Sequence, residues 1–143
     1  MSNLIAKNHF KAPNSHKESN LEEMVAKYLQ TKHKKIMFHF DLGAGNKKTK
    51  FQAVRAKKLH GKWSRGYCDL FIIQPNKYYS GLFIEIKTIE GNPFKKDGTL
   101  KKSEHLETQA KFHDELKERG YHATFGVGFK AICEIIDEYL ENV

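Results

Sequence analysis

Gly66-Tyr67-Cys68-Asp69-Leu70-Phe71-Ile72-Ile73, a polar stretch at Gln74–Ser80, and Gly81-Leu82-Phe83-Ile84-Glu85-Ile86-Lys87 decide how this chain folds. Two apolar runs separated by Pro75, Asn76 and Gly81 predict an antiparallel hairpin. In the second run, the period of two puts Leu82, Ile84 and Ile86 on one face and Phe83, Glu85 and Lys87 on the other. A carboxylate and an ammonium thus share a face in an otherwise apolar strand. A hairpin of this length brings Asp69, the charged residue of the first run, beside Glu85. Two neighbouring carboxylates repel, and a divalent cation is what usually makes such a pair tolerable. Hard oxygen ligands select Mg2+ or Mn2+. The competing reading is an ion pair of Glu85 and Lys87 on a solvated edge strand, with Asp69 elsewhere.

Working outward, a helix over Ser103–Arg119, ended by Gly120, carries Leu106, Gln109, Ala110, His113 and Leu116 on one side. Gln109 then points a polar side chain at the sheet and needs a partner there. A first helix, capped by Ser19 or Asn20, carries Leu21, Met24, Val25, Tyr28 and Leu29 on one face. At about 100° per residue, Glu22 falls on the edge of that stripe and Glu23 roughly opposite. The plain alternative for Glu22 is a first-turn acid favoured by the helix dipole. Ile36–Phe40 reads as a strand, Leu42–Asn46 as a loop, and Phe51–Leu59 as a short basic helix with Ala53, Val54 and Ala56 giving a partial apolar face. Tyr121–Phe129 reads as a strand that another backbone approaches at Gly126 and Gly128. Ala131–Leu140, with Ile132, Ile135, Ile136, Tyr139 and Leu140 on one face, closes the chain as a helix, either core or an interface. The order is α, β, α, β, β, α, β, α.

The chain has 143 residues, enough for one domain of roughly 100–200 residues. We expect an arm at residues 1–19 and a folded unit at 20–143. The longest apolar runs, Leu70–Ile73 and Leu82–Ile84, are far too short to span a membrane, and no secretory leader is visible at Met1–Phe10. With only Cys68 and Cys133, neither a disulfide framework nor a cysteine-based zinc site is expected, and the compartment is expected to be intracellular, the cytoplasm. Lys and Arg number 25 against 17 Asp and Glu, a net charge of +8, which points to a polyanionic partner. The basic residues cluster at Lys32–Lys35, Lys47–Lys50, Arg55–Lys62 and Lys95–Lys102. Surface solubility is the bland explanation for any one such run.

From about Leu21 to Lys130 the chain resembles the VRR-NUC nucleases, a branch of the PD-(D/E)XK superfamily, in the short stand-alone form typical of phages. The likeness rests on Gly66-Tyr67-Cys68-Asp69-Leu70, on Glu85-Ile86-Lys87, on Gln109-Ala110 in the following helix, and on Gly120-Tyr121-His122-Ala123 before a glycine-containing strand. Cys68 stands where that family usually has proline. The resemblance implies an α/β, restriction-endonuclease-like core with a mixed β-sheet flanked by helices, and a metal-dependent endonuclease acting on DNA. It implies that Asp69, Glu85 and the backbone carbonyl of Ile86 hold Mg2+ or Mn2+, and that Lys87 orients or activates water. Gln109 would position Lys87 or the water, and Glu22 would complete an outer shell or second site. His39, Asp41 and His113 are weaker candidates for the same cleft. Lys47, Lys48, Lys50 and Arg55 on one side, and Lys95, Lys96, Lys101 and Lys102 on the other, are expected to hold the phosphate backbone. The resemblance further implies a homodimer acting on branched DNA such as Holliday junctions or flaps, or on single-stranded regions. Its rivals are a resolvase or restriction endonuclease of another branch, and a basic DNA-binding accessory protein without catalysis.

Overall fold

Strand pairing builds outward from the quoted hairpin. The computed structural model describes residues 17–41 and 49–143. The loop at Leu42–Asn46, Lys47, Lys48 and residues 1–16 of the expected arm lie outside the described residues. In chain order the elements are α1 (Glu18–Lys32), β1 (Phe38–Phe40), α2 (Lys50–Leu59), β2 (Leu70–Ile72), β3 (Leu82–Lys87), α3 (Glu104–Glu118), β4 (His122–Val127) and α4 (Phe129–Glu141). The sheet order is β1-β2-β3-β4. β2 pairs antiparallel with both β1 and β3, whereas β4 runs parallel to β3. A parallel neighbour needs a crossover, and α3 supplies it.

Alternation along β3 sorts the two layers. Leu82, Ile84 and Ile86, with Leu70 and Ile72 of β2, pack against Leu21, Val25 and Leu29 of α1 and Ile132, Ile136 and Tyr139 of α4. On the opposite face Phe83 and Ala123 pack with Phe112 and Leu116 of α3, beneath Cys68. Phe71 and Phe83 stack with ring centroids 4.2 Å apart. The apolar stripe of α4 is therefore core. α1 and α4 are also tied by Asp137, which accepts from the Tyr28 hydroxyl at 2.7 Å and lies 2.8 Å from His33 Nε2.

Four local expectations need correction. α1 begins at Glu18 with Lys17 as its N-cap and no side-chain cap, so Ser19 and Asn20 sit inside the helix. The Leu21 N–H bonds the Lys17 carbonyl, and Glu18 supplies first-turn negative charge without a capping hydroxyl. α3 buries Gln109, Phe112, His113 and Leu116, while Leu106 and Ala110 are only half-buried. Gly126 is pinched by side chains rather than by a backbone: a Cβ there would stand 2.6 Å from Ile132 Cγ1 and 2.9 Å from Ile84 Cγ2. Gly128 is not a strand residue; it is the N-cap of α4 at φ 81°, and its N–H donates to the Lys87 carbonyl at 2.8 Å. α2 is opened by a Thr49/Gln52 capping box but buries none of its residues, leaving Phe51 and Leu59 exposed.

Candidate active site

Asp69 immediately precedes β2, and the pairing of Leu70 with Ile84 sets it level with Glu85 on the α3 side of the sheet. β2 begins only at Leu70 while β3 runs on past Ile84, so the Asp69 side chain takes the place of the missing backbone partner: Ile86 N–H donates to Asp69 Oδ2 at 2.8 Å. Glu85 is 3% exposed. Its Oε1 accepts from Gln109 Nε2 at 2.5 Å and lies 3.7 Å from Lys87 Nζ. The polar side chain that α3 turns toward the sheet thus finds its partner in the carboxylate that β3 buries. The edge-strand alternative does not hold, because β3 lies between β2 and β4 and Glu85 is buried. Glu85 Oε2 and Gln109 Oε1 have no hydrogen-bond partner and no contact with solvent.

Above this floor opens a cleft walled by α1, the end of β1, the segment before β2, and the start of α3. Seven acids line it: Glu18, Glu22, Glu23, Asp41, Asp69, Glu85 and Glu104. Against them stand Arg65 and Lys87, with His105 at the rim. A chain of net charge +8 has therefore gathered seven of its 17 acids around one hollow. Burial, and then repulsion from Asp69, pushes the Glu85 carboxyl up to about 9. Burial also raises Asp69, against the lowering pull of the Ile86 hydrogen bond. Glu22 is pushed up to about 7 by burial and by Asp69, Glu18 and Asp41. Glu18 is raised for the same first two reasons. Carboxylates raised by one another in a shared hollow are the electrostatic complement of a cation.

Of the residues singled out in the sequence, Asp69, Glu85, Lys87, Gln109 and Glu22 all line this cleft, as does Asp41, whose N–H donates to the Asp69 carbonyl at 2.8 Å. Glu23 borders it too, on the exposed side of α1, so the angular separation of the two glutamates is one of depth. His39 is exposed and does not line the cleft, and His113 lies buried beneath it. Lys50, Arg55, Lys95, Lys96, Lys101 and Lys102 are exposed and stand outside the lining. Glu18 and Arg65 were missed. Glu18 was legible, lying four residues before Glu22 on the same helical face; Arg65 sits in a loop without periodicity. Among the described residues, the three metal-ligating side chains whose ligand atoms lie within 4.8 Å of one another are Cys68, Glu85 and His113. Glu22 does not join Asp69 and Glu85 at that spacing.

A comparison with solved structures finds a VRR_NUC domain protein that superposes with a TM-score of 0.60 over 87% of this chain and 88% of that one, at 20% sequence identity. The likeness is one of fold, and it bears out the restriction-endonuclease-like core expected from the motifs. No family model matches the chain, and no curated protein does. No helix among the described residues is long and apolar enough to cross a membrane.

Proposed function

We propose that this protein is a nuclease that hydrolyses DNA phosphodiester bonds with Mg2+ or Mn2+. The observation that carries this reading is the convergence of Asp69, Glu85 and Lys87 from adjoining strands onto one cleft floor, with Gln109 donating to Glu85 from the next helix. The donor set fits a hard cation: carboxylate oxygens raised by burial and mutual repulsion, one of them on Glu85 without a partner. Asp69, Glu85 and the Ile86 carbonyl would hold the ion, with Glu22 and Glu18 at its outer side. When bound, it supplies Lewis-acid activation of water and offsets charge on the scissile phosphate. The ion also answers an electrostatic problem, since seven carboxylates would otherwise repel the polyanion from the cleft.

The chain's own residues do the rest. Lys87, its side chain 13% exposed, presents a fixed positive charge where negative charge develops on the phosphate and orients the attacking water. Gln109 fixes Glu85 Oε1, the oxygen that faces Lys87, and so holds the carboxylate and the lysine in register. The exposed lysines of α2 and of the Phe94–Leu100 turn, which stand outside the cleft lining, would grip phosphates beyond it. Branched DNA is the favoured substrate and a homodimer the favoured form, because two sites related by a two-fold can address two strands. Such a dimer forms through a surface other than the α4 stripe, which the core occupies.

The test is a panel of junction, flap, duplex and single-stranded oligonucleotides with Mg2+, Mn2+ and Ca2+. Nicking that needs Mg2+ or Mn2+ and disappears in Lys87→Ala and Asp69→Asn, while both variants still bind DNA, supports the reading. DNA binding by the wild type without metal-dependent cleavage of any of them makes the protein a binding module instead.

A further inference from the structure

Beneath the cleft, on the protein side of Gln109, three side chains of different chemistry face one another. Cys68 Sγ, a carboxylate oxygen of Glu85 and a ring nitrogen of His113 lie within 4.8 Å of one another. The three residues are 0%, 3% and 4% exposed. They come from three elements: the residue before Asp69, the middle of the sheet, and the helical position one turn beyond Gln109. Three buried polar atoms here lack any partner, namely Glu85 Oε2, His113 Nε2 and Gln109 Oε1. Buried polar groups are nearly always paired, so three orphans in adjoining side chains call for a common explanation. A cation held by Cys68, Glu85 and His113 would satisfy the carboxylate and the imidazole together.

The donor set identifies the class of ion. A thiolate, an imidazole nitrogen and a carboxylate oxygen form a mixed, borderline-soft set that suits Zn2+ and discriminates against the hard Mg2+. One thiolate suffices when nitrogen and oxygen ligands complete the shell, which is why a count of two cysteines did not reveal the site. Zn–ligand distances of about 2.0–2.3 Å set tetrahedral ligand atoms less than 4.8 Å apart, so binding would close any wider gap between them. We propose that Cys68, Glu85 and His113 form a buried site for Zn2+ or a similar divalent transition ion, distinct from the open carboxylate cleft. The Cys68 thiol proton passes to solvent as the thiolate binds.

The site rests on this geometry alone and not on nuclease activity. Its consequence does rest on that reading: Glu85 serves both sites, so zinc withdraws it from the cleft and inhibits cleavage.

Co2+ is the probe, because a cobalt thiolate gives a ligand-to-metal charge-transfer absorption that oxygen and nitrogen ligands do not. The reduced full-length chain, titrated with Co2+, should show this band at one equivalent and lose it on addition of Zn2+. Cys133→Ser leaves Cys68 as the sole thiol and should keep the band, so the assignment does not depend on a Cys68 variant folding. Cys68→Ser should abolish the band, and His113→Asn should weaken Co2+ affinity at least about tenfold. Absence of the band in the wild type, or its loss in Cys133→Ser, overturns the proposal. A Co2+ site unaffected by His113→Asn overturns it as well. None of these readouts involves DNA, so failure of the nuclease reading would leave them standing.

Discussion

Glu85 carries more of this molecule's behaviour than any other side chain, because it is an acid that the fold keeps out of water. Its carboxyl, raised from 4.5 to about 9 first by burial and then by Asp69, holds a proton that the unfolded chain gives up. Between those two values the folded state binds more protons, so in chelator the stability falls as pH rises. His113 works in the other direction: burial lowers it from 6.5 to about 4, so its contribution is lost as pH falls through that range. Glu85→Gln should therefore flatten the alkaline limb of a melting-temperature profile in chelator. At pH 8 it should melt higher than wild type by about 2–4 °C for each kcal/mol recovered. The same substitution should abolish cleavage, a pairing of gain and loss that an ordinary core residue would not give. Lys87→Ala and Asp69→Asn should each lower the cleavage rate by about a hundredfold or more, the usual scale for removing a transition-state contact. Asn at 69 keeps an oxygen for the Ile86 N–H, so circular dichroism should stay native. Asp69, Glu85 and Lys87 were legible in the sequence because period-two alternation puts charge where apolar neighbours demand none. Glu104 was not legible as part of the acid lining, since only the tertiary fold brings the start of α3 beside α1 and the end of β1.

At the scale of elements, pattern gave the identity of every strand and helix, and tertiary packing set their ends. The α1 stripe of Leu21, Val25 and Leu29 is a sequence property, but its start at Glu18 answers to no capping side chain. The antiparallel hairpin was written in its turn residues. The parallel seat of β4 beside β3 was not, because a crossover through α3 carries no local signal of direction. Gly126 follows from that seat. Gly126→Ala, which drives a methyl group onto Ile132 and Ile84, should cost about 1–3 kcal/mol, read as a lower urea midpoint with an unchanged slope. α2 tests the converse. Thr49→Ala removes a capping box worth about 0.5–2 kcal/mol to its helix, yet α2 buries nothing. Amide exchange should quicken across Lys50–Leu59 while the global urea midpoint stays where it was.

Across the whole molecule, charge is segregated rather than merely abundant. Composition points to a polyanionic partner, and the hollow that would face it under the proposed function is itself acidic. On that reading ions act twice, on the protein and on the nucleic acid. Mn2+ at saturating concentration should raise the melting temperature at pH 8, by mass action on the folded state, and Asp69→Asn should remove most of that rise. DNA affinity should fall steeply with salt, with Lys101→Ala plus Lys102→Ala reducing the slope of log affinity against log salt by about one to two if both lysines meet phosphate.

The bond from Gly128 N–H to the Lys87 carbonyl joins the last residue of β3 to the first turn of the terminal helix. Trimming the chain behind β4 would cut that tether and also strip Ile132, Ile136 and Tyr139 from beneath the sheet, although the final helix borders none of the cleft. An inactive truncated fragment would then say nothing about whether the remote segment meets substrate; its loss would be felt as slack in an anchor.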